Sequence, residues 1–131
     1  MTLTLLHRAT GNPAHGQQFG PYWIEALIGE AEEGAGTVYR VRIEPQQRTS
    51  ISYHRLAEEY YFVLAGQGVA ILDGREYPLR PGDFLRLPPG TAHGFVTGAE
   101  PLELLDIHTP GCRPNRDTYF VDTVPDGFSG G

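Results

Sequence analysis

The 131-residue sequence predicts an all-β chain, a barrel or sandwich of short antiparallel strands folded as one domain. Three observations carry this. Apolar residues come in short runs with a period of two, turn residues interrupt them every few positions, and no helical periodicity of useful length appears. The seventeen Gly and eleven Pro are scattered as punctuation between runs, which suits many short strands and few helices.

Taken in order, residues 1–20 read as an extended arm: a short apolar run (Leu3, Leu5, Leu6), then the turn-rich Gly11-Asn12-Pro13 and His15-Gly16. A strand is expected at Tyr22–Ile28, closed by the acidic, Gly-rich turn 29–36. Thr37–Ile43 alternates cleanly, with Tyr39, Val41 and Ile43 on one face and Val38, Arg40 and Arg42 on the other. Pro45 stops that strand and Thr49–His54 starts the next. Glu59–Ala65 is aromatic and branched throughout, and Gly66-Gln67-Gly68 turns it into Val69–Leu72. Asp73-Gly74 is a two-residue hairpin turn that demands positive φ, leading into Glu76–Leu79. Further strands are expected at Phe84–Leu87, His93–Thr97 and Leu102–His108. Beyond Thr109 the chain is rich in turn residues, with one short strand at Thr118–Val121 and a disorder-prone tail at 126–131.

Composition excludes several functions. The net charge of −6 and the lack of a basic cluster argue against nucleic acid or an anionic membrane as partner. All ten basic residues are Arg, so Schiff-base chemistry and a P-loop, which both need a lysine, are ruled out. The single Cys112 has no partner for a disulfide or a zinc knuckle and reads as a small residue in a Pro/Gly-rich loop. No segment approaches the ~18 apolar residues that span a bilayer. The N-terminal residues lack a secretory pattern, so the expected location is cytoplasmic.

The residues that carry chemistry lie between Ser50 and Thr97. With a strand period of two, His54, Glu59 and His93 converge if their faces turn inward, among apolar neighbours. Two imidazoles and a carboxylate form a ligand set for divalent Fe, Mn, Ni or Zn and leave positions open for water or substrate. Glu59 would supply the charge that retains the cation, and Tyr61, on the same face, would present a phenol to a bound ligand; these two are the candidate catalytic residues. Asp106 and His108 share a face opposite Leu105 and Ile107; the apolar-inward rule puts the polar pair outside, and the opposite register would make them an acid/base pair near the cavity. Arg40, Arg42 and Arg86 are expected on solvated faces, and Tyr22 and Trp23 on an arm that anchors to a partner subunit. A Ser52–His54 nucleophile pair lacks any oxyanion loop, and Gly66-Gln67-Gly68 is a turn and not a dinucleotide fingerprint.

At these residues the chain resembles the cupin superfamily. The family's first motif, G-x5-H-x-H-x(3,4)-E-x6-G, is matched by His54, by Glu59 after four intervening residues and by Gly66 after six more. Its second, G-x5-P-x-G-x2-H-x3-N, is matched by Gly82, Pro88, Gly90 and His93. Gln46 stands at the first glycine, Thr97 at the final Asn and Ser52 at the first metal-binding histidine. The resemblance implies a jelly-roll-like double-stranded β-helix with its core at about 37–108, an N-terminal arm at 1–36 and a C-terminal extension at 109–131. It also implies a homodimer and a small-molecule ligand or substrate. Because Ser52 replaces an imidazole, two readings stand: a three-ligand metal site, or a barrel whose histidines bond Glu59 and Ser52 without metal. The corresponding functions are a metal-dependent enzyme (isomerase, dioxygenase, decarboxylase or lyase) acting on a small polar organic molecule, and a module that binds without turnover. A metal-free epimerase is a third.

Overall fold

The computed structural model describes residues 3–129. Eleven strands form two antiparallel sheets that face one another across a common core. The strands are β1 (Gln17–Phe19), β2 (Tyr22–Ala26), β3 (Thr37–Ile43), β4 (Ser52–Tyr53), β5 (Glu58–Gly66), β6 (Gly68–Leu72), β7 (Arg75–Leu79), β8 (Phe84–Leu87), β9 (His93–Val96), β10 (Leu102–Thr109) and β11 (Tyr119–Phe120). One sheet runs β1-β2-β3-β10-β5-β8 and the other β11-β4-β9-β6-β7. This is the all-β, jelly-roll-like arrangement expected, built as two opposed sheets with no continuous ladder joining them.

Alternation predicts β3 and β8 to the residue. In β3 every second side chain, from Thr37 to Ile43, is buried, because that sheet packs one face on the core and leaves the other half-open. The Asp73-Gly74 turn takes positive φ at both residues (48° and 81°), as a hairpin between twisted strands requires. Gly66 (φ 82°) ends β5 where the chain crosses under the turn before β10, and a Cβ there would sit 1.8 Å from the Pro101 carbonyl oxygen. Only glycine fits. Gln46, which holds the position of the family's first glycine, also adopts the left-handed region (φ 60°).

The core is a single cluster of Tyr39, Val41, Ile43, Tyr61, Val63, Ala70, Leu79, Leu87, Phe95, Leu102 and Leu104. It fills one end of the space between the sheets; the other end is a cavity. Two expectations differ from what is seen, the plainly extended arm and the disorder-prone tail. The arm contains β1 and a short 3₁₀ turn at Pro13–His15. Trp23 holds that arm within its own chain, donating from Nε1 to the Pro13 carbonyl at 3.2 Å, while Tyr22 lines the cavity. In the tail, Phe128 packs on Phe19, Tyr22 and Phe120 with ring centroids 5.4, 6.2 and 5.2 Å away; residues 130 and 131 lie outside the described residues.

Candidate metal centre

Four strands and one turn bring the site together. Ser52 pairs directly with His93 across β4 and β9, and Glu59 pairs with His108 across β5 and β10. The Pro88–Thr91 turn is fastened beneath His54 by a 2.7 Å bond from the Gly90 amide to the His54 carbonyl, so the second motif's glycine is held against the first motif's histidine. Ser52, His54, Glu59 and His93 are all buried.

His54 Nε2 and His93 Nε2 each lie 3.2 Å from Glu59 Oε1. The opposite nitrogens fix the tautomers. His54 Nδ1 lies 2.6 Å from the Asp117 carbonyl oxygen and His93 Nδ1 lies 2.9 Å from that of Thr91. A carbonyl can only accept, so each Nδ1 carries a proton, and a neutral ring then presents a bare Nε2 lone pair to Glu59. Glu59 Oε1 has no hydrogen-bond partner and is buried. Three electron-rich atoms therefore face one another out of water, which is unfavourable unless a cation or protons sit among them. Ligands about 2.1 Å from a metal at roughly 90–109° lie about 3.0–3.4 Å apart, which matches these separations. The donor set fits a divalent transition metal. Ser52 Oγ is 3.5 Å from His93 Nε2, on the rim of the same group.

The outward nitrogens are the second half of the site, as is usual for metal-binding histidines. Asp117 (φ 57°) supplies more than its carbonyl. Its carboxylate accepts from the amides of Arg55, Leu56 and Ala57 at 2.8 to 3.3 Å, tying down the loop that follows His54. Cys112 Sγ lies 3.3 Å from His54 Nδ1 and 3.2 Å from Thr118 Oγ1. Neither Asp117 nor Cys112 was singled out for this role by sequence. The only signal was turn-rich composition, which says that a segment bends but not where it returns.

Asp106 and His108 correct the expectation that they point outward: both are buried and line the cavity. Leu105 and Ile107 take the outer face instead, half-buried. Across the sheet, Asp106 sits between Tyr39 and Tyr61, and His108 between Thr37 and Glu59. His108 Nε2 lies 2.8 Å from Glu59 Oε2, so the second carboxylate oxygen is satisfied while the first is not. Asp106 Oδ1 is buried with no hydrogen-bond partner. Tyr61 is buried on the face of Glu59, with its ring 6.2 Å from His93.

Electrostatics follow from this packing. Burial alone would raise the Glu59 carboxyl, but the imidazoles of His108 and His93 outweigh it and hold it well below the usual range. Burial, then the charge of Glu59, holds Asp106 well above its usual range. Burial lowers His93. Burial opposes the charging of His54 too, yet Cys112 and Glu59 push it up to about 11. Burial raises the Cys112 thiol, and His108 and His54 bring it down to about 7.

The cavity, of about 80 Å³, is open on one side, enough for several waters or part of a small organic molecule. Among the described residues no helix is long and apolar enough to cross a membrane.

A family model described as "Cupin domain" matches residues 39–108. A quercetin 2,3-dioxygenase from Bacillus subtilis is 34% identical over 78 residues, which are 60% of this chain and 22% of that protein. The chain spans 22 to 60% of the length of the curated relatives it matches. A crystal structure described as a cupin-superfamily sugar phosphate isomerase from Silicibacter pomeroyi superposes with TM-score 0.65 at 27% identity, covering 79% of this chain and 67% of that one. Streptomyces Pac13, described as a nucleoside dehydratase, shares the fold with TM-score 0.69 at 18% identity, covering 90% and 94%.

Proposed function

The chain belongs to the cupin domain family, and from that premise we propose that it is a metal-dependent enzyme acting on a small organic molecule, with the metal held by His54, Glu59 and His93. One observation carries the reading: a buried carboxylate oxygen without a partner, faced at 3.2 Å by two imidazole nitrogens whose other nitrogens are committed to carbonyls. When bound, a divalent metal supplies Lewis acidity to an oxygen of the ligand.

The chain's own residues would do the rest. His108 fixes Glu59 Oε2 and so presents Oε1 to the cation. Asp106 lines the same cavity with an oxygen that no protein group uses, and its carboxyl, raised by burial, would hold a proton beside the bound molecule. Tyr61 adds a phenol to that wall. A group able to hold or accept a proton next to a polarised oxygen suits isomerisation or elimination. The relatives described as isomerase and dehydratase carry out reactions of that broad kind.

A second reading, a binding module without turnover, is favoured by Ser52, whose hydroxyl stands where a further imidazole would strengthen the site. The outer face of the first sheet would serve a homodimer: Phe62 and Phe84 are exposed on adjacent strands, beside a Glu58–Arg86 pair 3.6 Å apart. A two-fold axis would bring the same acid and base opposite each other.

Elemental analysis of the untagged protein tests the metal reading, with Glu59→Ala as control. The expected result is about one equivalent of a transition metal per chain, absent in the variant. No uptake after exposure to Fe, Mn, Ni and Zn would leave the binding module.

A further inference from the structure

The cavity is two-ended. Its inner end holds the imidazoles and carboxylates described above. Beside the rings of Tyr22, Tyr39 and Tyr61, the rest of its wall includes Ile24, Val41, Phe95, Leu104, Phe120 and Phe128, apolar side chains drawn from both sheets and the C-terminal segment. Toward the tail, Phe128 stands edge-on to Phe120 (71°) and Tyr22 (70°), which gives that part of the wall an aromatic surface.

Three of the polar groups on this wall, Tyr39, Arg113 and Thr118, are already engaged, Tyr39 by donating to the Cys112 carbonyl at 2.6 Å. Arg113, the cavity's one guanidinium among the described residues, bonds Glu33 Oε1 through Nε at 3.0 Å and the Ile28 carbonyl through Nη2 at 3.4 Å. Its charge is therefore answered by Glu33, within 2.9 Å. Thr118 donates to the Arg113 carbonyl at 2.9 Å. A ring bearing hydroxyls on every side would bury several of them against carbon, at about 1–3 kcal/mol for each left unpaired. Along this wall a phosphate would find no unpaired guanidinium among the described residues. These terms disfavour sugar phosphates. A flat π-system instead matches the aromatic wall, and an oxygen at one edge matches the polar inner end.

We propose that the ligand is a largely apolar, planar ring compound carrying phenol or enol oxygen at one edge, inserted with that edge toward His54, Glu59 and Asp106. The seat of the oxygen edge rests on the metal-centre reading; the match to the apolar wall does not. The "small polar organic molecule" expected from sequence narrows accordingly, to a molecule polar at one end only.

The test is calorimetric titration of the full chain, metal-free and zinc-loaded, with 2,3-dihydroxynaphthalene and, in parallel, mannose 6-phosphate. The diol should bind at least tenfold more tightly than the sugar phosphate in both forms. Phe128→Ala should weaken it about tenfold with zinc stoichiometry unchanged, and Phe120→Ala, on the same wall, serves as the second variant. Equal or tighter binding of the sugar phosphate, no binding of the diol, or diol affinity indifferent to both variants would overturn the proposal. Diol binding without any zinc uptake would sink the metal centre and leave this inference standing; zinc uptake without diol binding would do the reverse.

Discussion

Asp117 grips His54 from two sides: its carbonyl takes the ring's Nδ1 proton at 2.6 Å, and its carboxylate holds the three amides that follow His54 in sequence. The residue lies beyond the 39–108 span of the family match, so a segment outside that span orients one of the proposed ligands. Asp117→Ala frees the 55–57 loop that follows His54, while the backbone carbonyl that meets Nδ1 is retained. Metal affinity should fall about 10–100-fold, the usual cost of losing such support, with about 1–3 kcal/mol of stability. Competition with a chromogenic chelator reads the first and urea denaturation the second. Unchanged affinity would mean that the carboxylate's hold on the 55–57 loop has no influence on the ring.

The three proposed ligands should not tolerate deletion. His54→Ala and His93→Ala should each lower metal affinity by at least about 100-fold, while Ser52→His should raise it, because position 52 sits directly across from His93 on the neighbouring strand. Plasma mass spectrometry after dialysis against limiting metal ranks all four proteins. Retention of metal by both alanine variants would place the ion elsewhere.

Glu33 predicts a pH dependence. Burial raises its carboxyl, but hydrogen bonds from Arg116 and Arg113 outweigh this and hold it below the ordinary value of 4.5. A depressed carboxylate stabilises the fold at pH above its unfolded value, and that contribution disappears as pH falls through the folded value. Glu33→Gln should therefore lower the melting temperature near pH 7, and the gap from wild type should narrow as pH drops below about 4.5. A constant gap down to pH 3 would contradict the pairing.

Gln46 sits at φ 60°, exposed, with only its amide committed, to the Gly98 carbonyl at 2.8 Å. The left-handed region costs a non-glycine residue about 1–2 kcal/mol, part of which glycine returns through the entropy of its unfolded chain. Gln46→Gly should stabilise the protein by about 0.5–1 kcal/mol in urea denaturation; a loss of stability would show that the Gln side chain has a role there.

Most of the strand plan was legible because it obeys one rule, apolar side chains inward with a period of two. β3 buries every second side chain and β8 turns Leu85 and Leu87 inward, leaving Phe84 on the outer face; both were located to the residue. β10 follows the rule only halfway. Its inner face runs Leu102, Leu104, Asp106, His108, changing from apolar to polar where the core gives way to the cavity. Applied uniformly, the rule sent Asp106 and His108 to solvent, and it failed where the chain departs from local consistency for the sake of a site. His54, Glu59 and His93 were readable because motif spacing does not depend on that rule. Cys112 and Asp117 act through a return of the chain over about 60 residues, which no local pattern encodes.

The exposed Phe62 and Phe84 lead to a prediction about assembly. Light scattering should give the mass of two chains, and Phe62→Glu with Phe84→Glu should give that of one, since like charges would then face each other across a two-fold axis. A monomeric wild type would end the proposal.

Phe128, six residues after Asp122, whose carboxylate accepts from the Ile51 amide, and tilted against Phe19 at 5.4 Å, brings the N-terminal arm and the C-terminal segment together beside the cavity. Whatever seats itself beneath that ring also holds the tail in place. Cleavage of the 126–129 segment by a protease should slow in proportion to occupancy, so the tail would serve as a built-in gauge with which compounds of unknown affinity can be ranked before any reaction is known.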